Sequence, residues 1–402
     1  MLPLIRQPPA HPERGSSLHG KREGLTTSGR AKIARMATTS EVKIGERIAR
    51  ARQDLRLTQV ELAAEIGGLD RTAVAKIESG RRKVSASELV RLAGALNRPI
   101  DWFVTESPPA VVSRRSDPAS GGVSEILDRT IERLARDIDF LERDEVLPPI
   151  SERRLEPPTT FEGAETAAAE VRGWISAEQG PLLDLQRHAE ALGLLAFSID
   201  LGEEGGDGAY VAVEKWGVAV INGHTDPGRR RFSLAHELGH HLFADAYAPE
   251  VTISVGETEK IINAFAVHFL LPRSAVKDTW NSFDDRRMGA IAIAVLFRAS
   301  WSAVTTHLKN LGLIDDAGRA AFAADPPTPA DFIELGERWV SELDSPSVPP
   351  QYGRRVISAY RGGRLTAART VELLYGTIRE EELPAQQEVP LEGVRREFEA
   401  LP

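Results

Sequence analysis

Two histidines and a glutamate in the run Leu234-Ala235-His236-Glu237-Leu238-Gly239-His240-His241-Leu242-Phe243 have the types and spacing to do chemistry. On a helix, at about 100° per residue, His236 and His240 fall on one face a turn apart and can share a tetrahedral metal ion. Glu237, beside the first of them, can reach a water bound to that ion. The chemistry such a set performs is hydrolysis: the metal acidifies water, the carboxylate takes its proton, and an open coordination position admits a scissile carbonyl. Leu234, Ala235, Leu238, Leu242 and Phe243 make the segment apolar, so its three polar side chains are expected to be buried and to need partners.

A third protein ligand has to come from another element, because this helix has no further position on the same face. The next helix begins Glu259-Lys260-Ile261-Ile262-Asn263-Ala264-Phe265-Ala266, with Glu259 and Asn263 four apart and so on one face. Glu259 is assigned as the third ligand, with Glu257 as its competitor. Asn263 is expected to hydrogen-bond a ligating imidazole and fix its orientation. The chain contains no cysteine, so any zinc must be held by imidazole and carboxylate. Among the other histidines, His241 is expected to stand behind the ligands or at the surface. A group that stabilises a tetrahedral oxyanion is required, and His224, Tyr210 and Tyr247 are the candidates.

The run from Arg231 through His240, then Glu259, Asn263, Phe265-Ala266 and Leu270-Leu271-Pro272, resembles the ImmA/IrrE family of bacterial zinc metallopeptidases. The resemblance implies a zincin-like α+β domain holding Zn2+ through His236, His240 and Glu259, with Glu237 as general base. His268 departs from the family pattern. It lies nine positions after Glu259, about 180° around the helix, which favours a structural role over ligation.

Upstream, Ile44 to Phe103 reads as five short helices. Leu55, Leu57, Val60, Leu62, Ala63, Ile66, Val74, Ile77, Leu89, Leu92, Ala93 and Leu96 recur at steps of three and four and form the expected core, and Gly67-Gly68 supplies a turn. Thr58 and Glu61 have capping-box spacing, and Asp70 is placed to cap the next helix, Arg71 to Glu78. In that helix Val74 and Ile77 face inward while Arg71, Thr72 and Lys76 face out, the layout of a recognition helix in a major groove. The block resembles the Xre/Cro phage-repressor family through Thr58-Gln59, Leu62-Ala63, Ile77-Glu78 and Ser79-Gly80. By that resemblance Gln59, Arg71, Thr72 and Lys76 contact a double-stranded DNA operator, with Arg81, Arg82 and Lys83 on phosphate.

Composition bounds the remainder. The chain has 402 residues, 42% of them hydrophobic, and no apolar run long enough for a membrane span. A cytoplasmic protein is expected. The net charge of −9 is acidic overall, but charge distribution matters more than the sum for DNA binding, and Met1 to Ser40 is basic. Residues 1–40 are Pro/Gly/Ser-rich, show no signal-peptide pattern and are expected to be disordered. Met36 marks an alternative start. The remaining divisions are 41–106, the helix-turn-helix domain; 107–158, linker and amphipathic helix; 159–315, the peptidase domain; and 316–402, a helical C-terminal region.

Within 107–158, Leu127, Ile131, Leu134, Ile138 and Leu141 form a heptad-like seam that suits packing on the peptidase domain or a homodimer. Strands are expected at Leu194–Ile199, Tyr210–Val213 and Trp216–Ile221, the last offering an edge to an extended peptide. The expected fold class is mainly α with a small β-sheet. The expected function is a transcriptional regulator whose peptidase cleaves a repressor protein or the chain itself. The alternative is an antitoxin-type autorepressor that holds a cognate toxin without cleaving it.

Overall fold

The computed structural model describes residues 43–104, 113–115, 125–243, 255–336 and 340–387, apart from positions 54, 97, 99, 151–152 and 214. Residues 1–42 lie outside the described residues, as does Tyr247. The chain divides into two compact units, Met1–Ser107 and Pro108–Pro402.

The first unit holds helices α1 (residues 43–53), α2 (Gln59–Ile66), α3 (Arg71–Glu78), α4 (Ala86–Ala95) and α5 (Ile100–Val104). Both expected caps are present. Thr58 and Glu61 close a capping box at the start of α2, and the Asp70 carboxylate accepts from Ala73 N at 2.6 Å. Gly67 and Gly68 take φ of 66° and 75°, a left-handed backbone that glycine adopts without steric cost, and this makes the α2–α3 turn. Leu62, Ala63, Ile66, Val74, Ile77, Leu92 and Ala93 form the core with Ile48, Ala51, Trp102 and Phe103. Val60, expected inside, is 57% exposed. The helical spacing placed it beside the core stripe, but α3 and α4 cover only the Leu62, Ala63 and Ile66 face.

The second unit is built on a sheet of order β1-β3-β4-β2: β1 (Ser113–Arg115), β2 (Leu194–Ile199), β3 (Gly208–Val213) and β4 (Trp216–Asn222). β1–β3 and β3–β4 are antiparallel and β2–β4 is parallel. The three expected strands are present, β3 starting two residues earlier. β1 is additional and falls within the segment read as linker. β4 is paired on both sides, so it has no edge to offer a peptide. Its run of buried residues from Trp216 to Asn222 is the sequence mark of an interior strand.

Successive side chains alternate between two buried layers. Ala196, Tyr210, Ala219 and Ile221 point into one layer, and Leu195, Phe197, Ala209, Val211, Val218 and Val220 into the other. The first layer is covered by α7 (Phe161–Trp174), α8 (Leu185–Ala191), α9 (Pro227–Leu242) and α10 (Val255–Leu270), followed by α11 (Arg273–Asn281), α12 (Arg286–Phe297) and α13 (Trp301–Asn310). The second is covered by α6 (Glu125–Arg143), α16 (Pro350–Arg361) and α17 (Ala367–Leu373). In the chain, α14 (Asp316–Ala324) and α15 (Pro329–Leu335) follow α13 and precede α16; α14 packs on α13 and α15 on α12.

The seam Leu127, Ile131, Leu134, Ile138 and Leu141 is buried against the sheet of the same chain. Segments 125–147 and 350–374, which the sequence set apart from 159–315, therefore form the second core layer of this unit. Asp137 of α6 ties them together, accepting from Arg369 at 2.6 Å and from the Tyr375 hydroxyl. The fold is mainly α with a small β-sheet. Among the described residues no single helix is long and apolar enough to cross a membrane.

Candidate functional site

α9 begins at Pro227, whose fixed φ suits a first helical turn. Its Leu234, Ala235, Leu238 and Leu242 are drawn into the first layer. That burial carries the polar set inward with them, leaving His236, Glu237 and His240 at most 2% exposed. α10 packs its Ile261, Ile262, Phe265, Ala266 and Phe269 into the same layer. Gly239 sets the distance between the two helices. A Cβ there would lie 2.9 Å from Ile262 Cγ2 and 3.1 Å from Phe265 Cδ1, closer than side-chain carbons pack.

With the helices this close, three side chains converge. The Nε2 atoms of His236 and His240 stand 3.0 Å apart. The Glu259 carboxylate reaches them at 3.3 Å and 3.7 Å. One ligand atom from each of the three lies within 4.8 Å of the others. Glu257 is exposed, and the converging carboxylate is that of Glu259. The Nδ1 of His236 is 3.0 Å from Asn263 Oδ1. An amide oxygen only accepts, so Nδ1 carries the hydrogen and the Nε2 lone pair faces His240 and Glu259. Burial, and next the neighbouring His236, pushes the His240 imidazole down to about 3, which keeps it neutral as a ligand must be. The donor set of two neutral imidazoles and a carboxylate fits a zinc ion with one position open.

Glu237 is fully buried and lies under the start of β3, where a Cβ on Gly208 would sit 3.5 Å from Glu237 Oε1. Beside the site a cleft of about 920 Å³ opens, lined by Arg229 and Phe232 of α9, Asn263 and His268 of α10, and His307 of α13 among others. Asn263 is shared between the cleft and His236.

Among the described residues, His241, His268 and His307 are buried or partly buried against other side chains of the second unit. His241 is 3% exposed, so it is not at the surface. It sits with Nδ1 3.2 Å from the Tyr210 hydroxyl and 3.4 Å from Arg154, and with Nε2 3.3 Å from Leu192 O. Burial, with Arg154 adding to it, pushes its imidazole down to about 3. The phenol of Tyr210 is thus engaged by His241, and His224 lies 3.4 Å from Asp200. Neither is among the three side chains, His236, His240 and Glu259, that converge. His268 packs edge-on against His307 at 4.9 Å and faces Glu165 at 3.8 Å.

The basic run Arg229-Arg230-Arg231 is matched by carboxylates, Arg229 with Asp207, Arg230 with Asp344 and Arg231 with Glu342. Sequence alone missed these pairs because two of the acids lie more than a hundred positions downstream. Gly239 was legible in principle, as the residue without a side chain between two buried histidines.

In the first unit Arg71, Thr72, Lys76, Arg81 and Lys83 are exposed, on or just after α3. Gln59 and Arg82 are only half-buried outliers of that set. The Gln59 amide donates to Glu78 at 2.7 Å, where Arg52 also donates at 2.6 Å. Arg82 donates to Glu88 at 2.6 Å. Hydrogen bonds from Ser85 N, and next from Arg82, hold the Glu88 carboxyl below the usual carboxylate range.

A capped helix-turn-helix unit followed by a unit with this histidine-glutamate helix defines a DNA-binding regulator fused to a peptidase-type domain. The helix-turn-helix family model matches residues 48–103, and the model described as "IrrE N-terminal-like domain" matches residues 189–309. A relative described as "Uncharacterized transcriptional regulator in ATPase CF(0) region" from Rhodospirillum rubrum is 35% identical over 83 residues, 21% of this chain and 70% of that protein. The apo form of the competence regulator ComR from Streptococcus vestibularis aligns with 76% of this chain and 95% of that one at 11% identity. Its TM-score is 0.16, too loose a superposition to bear on the fold. The chain belongs to the Xre/Cro-type helix-turn-helix transcriptional regulators, here fused to an ImmA/IrrE-type peptidase-family domain.

Proposed function

We propose that this regulator's second unit is a zinc-dependent endopeptidase that cleaves a repressor protein, or the chain itself, and so changes transcription from an operator bound by the first unit. The observation that supports it is the convergence of His236, His240 and Glu259 beside a buried Glu237, with Asn263 orienting His236. His236, His240 and Glu259 would hold the metal. Zn2+ bound there supplies the Lewis acidity that lowers the pKa of water and polarises a carbonyl. Glu237, on the same helix, would take a proton from the attacking water and return it to the leaving amine. Its burial strengthens both transfers, because a fixed carboxylate in a dry site needs no solvent rearrangement. Gln59, Arg71, Thr72 and Lys76 are assigned to the operator, with Arg81, Arg82 and Lys83 on phosphate.

The test is zinc content, together with cleavage of co-expressed neighbouring proteins, in the native chain and in Glu237→Gln. The substitution keeps the shape and removes the base. Zinc retained and cleavage lost in the variant is the expected outcome. Zinc bound by both, with no glutamate-dependent cleavage and unchanged promoter repression, would move the function to an antitoxin-type holder of a cognate toxin.

A further inference from the structure

The strand β1 borders the sheet at the β3 side. It is three residues long, comes from the stretch between α5 and α6, and pairs antiparallel with β3: Ser113 opposite Tyr210, Arg114 opposite Ala209, Arg115 opposite Gly208. Without it β3 would be the outermost strand of the sheet. β3 begins at Gly208, the residue lying over Glu237 Oε1. Cα atoms of β1 also come within 8 Å of those of α9, which carries Glu237 and both ligand histidines.

A peptide presented for hydrolysis has to be extended, and an extended chain finds its main-chain partners along a strand edge. Among the described residues, the strand edge that meets that need is the outer edge of β3. β4 is paired on both sides. The outer side of β2 is bridged by Ser347, which exchanges hydrogen bonds with Ser198 at 2.9 Å and 3.0 Å. The outer edge of β3 runs past Glu237, and β1 is on it.

We propose that residues 113–115 occupy the substrate edge in cis: these three residues lie where an extended peptide would pair with β3, and a peptide in trans must displace them. The inference rests on the peptidase reading and adds to it the substrate class, an extended segment recognised main chain to main chain along β3. When such a segment replaces β1, one water adds across its peptide bond. The C–N bond breaks, the oxygen stays on the new carboxylate, and Glu237 passes the water proton to the leaving amine.

The size of the effect follows from tethering. A strand on a short linker competes at an effective concentration on the order of 1 mM. If that strand's own Kd for the edge is about 0.1 mM, it raises the apparent Kd of a competing free peptide about tenfold. The probe is a fluorescein-labelled peptide of residues 108–124 of this chain, bound to the full-length Glu237→Gln protein so that no bond is cut. Alternate residues of an antiparallel strand donate to the neighbour, and proline has no N–H. The double substitution Ser113→Pro/Arg114→Pro therefore removes at least one β1–β3 bond in either phase of the ladder.

Anisotropy should show the probe binding about tenfold more tightly to the double-proline chain than to its parent. Equal affinities would overturn the proposal. Hydrogen exchange on the chain without prolines gives a second readout that does not depend on the variant folding. Excess unlabelled peptide should deprotect the amides of 113–115, and unchanged protection would likewise overturn it. Neither readout needs turnover. A zinc-loaded native chain that cuts nothing while the probe still competes would sink the peptidase reading alone. Cleavage with neither readout moving would sink the cis occupancy alone.

Discussion

Asn263→Ala removes the acceptor that fixes the tautomer of His236, and its effect can be worked from the geometry. The bond lost is the 3.0 Å contact from His236 Nδ1 to Asn263 Oδ1. Deleting such an outer partner of a ligating histidine lowers metal affinity roughly 10- to 100-fold, about 1.4 to 2.7 kcal/mol. Burial decides where in that range this variant falls. His236 is 2% exposed, but Asn263 is half-buried and lines the cleft. The space left by the amide is therefore open to water, which can accept from Nδ1 in its place. The donor is not orphaned, so the metal-free protein should lose no more than about 1 kcal/mol. What water cannot restore is the fixed ring orientation, and zinc affinity should fall about tenfold, near the lower end. Asn263→Asp keeps an acceptor in place and should retain affinity. The assay is zinc competition against a chromophoric chelator at fixed pH, with urea unfolding of the metal-free proteins alongside. A zinc Kd for Asn263→Ala within twofold of the native value would refute the claim that Asn263 orients His236.

Gly239→Ala should also weaken zinc, for a different reason. Its methyl would sit 2.9 Å from Ile262 and 3.1 Å from Phe265, forcing apart the two helices that carry His236, His240 and Glu259. Overpacking costs about 1–3 kcal/mol, against about 1 kcal/mol gained in helix propensity. A thermal midpoint unchanged or raised, with zinc affinity unchanged, would show that α9 and α10 are not this close. His307, 2% exposed and held by Leu271 O at 3.0 Å, has its imidazole pushed down to about 3 by burial first and His268 next. Because the folded pKa lies below the unfolded value, the unfolded chain takes up the proton first. Stability from this group is complete above about pH 6.5 and lost as pH falls toward 3, by about 1.4 kcal/mol per unit. Urea midpoints of the metal-free chain between pH 6.5 and 5 should slope less in His307→Gln, and equal slopes would count against a neutral buried His307. In the first unit, Arg81→Ala should lower the salt dependence of operator binding by about one unit of slope. Arg82→Ala should lower that slope too and, because it also loses the bond to Glu88, should lower the thermal midpoint of the unit. A slope in gel-shift data unchanged by either variant would take that arginine off the phosphate.

Much was legible from local sequence, because it depends on short-range geometry. Helical periodicity alone puts His236 and His240 on one face. The caps at Thr58 and Asp70, the α2–α3 turn at Gly67-Gly68 and the outward face of α3 each follow from a few neighbouring residues. The three long strands were readable as apolar runs, and the helix carrying Glu259 from its spacing.

Tertiary structure decided whatever depends on two segments meeting. Only the approach of α10 to α9 distinguishes Glu259 from Glu257 as the carboxylate facing the imidazoles. Only the packing of Tyr210 and Arg154 around His241 takes that histidine out of the surface set. The matching of Arg230 and Arg231 by Asp344 and Glu342 joins residues more than a hundred positions apart, which no local pattern encodes. β1 is the clearest case. Three residues in a polar, proline-flanked stretch have no strand signature of their own, and they form a strand because β3 presents an edge to them. Residue types and short periods determined which side chains can ligate, cap or donate. Long-range burial and pairing determined which of them share a site, since those energies exist only once the layers have closed.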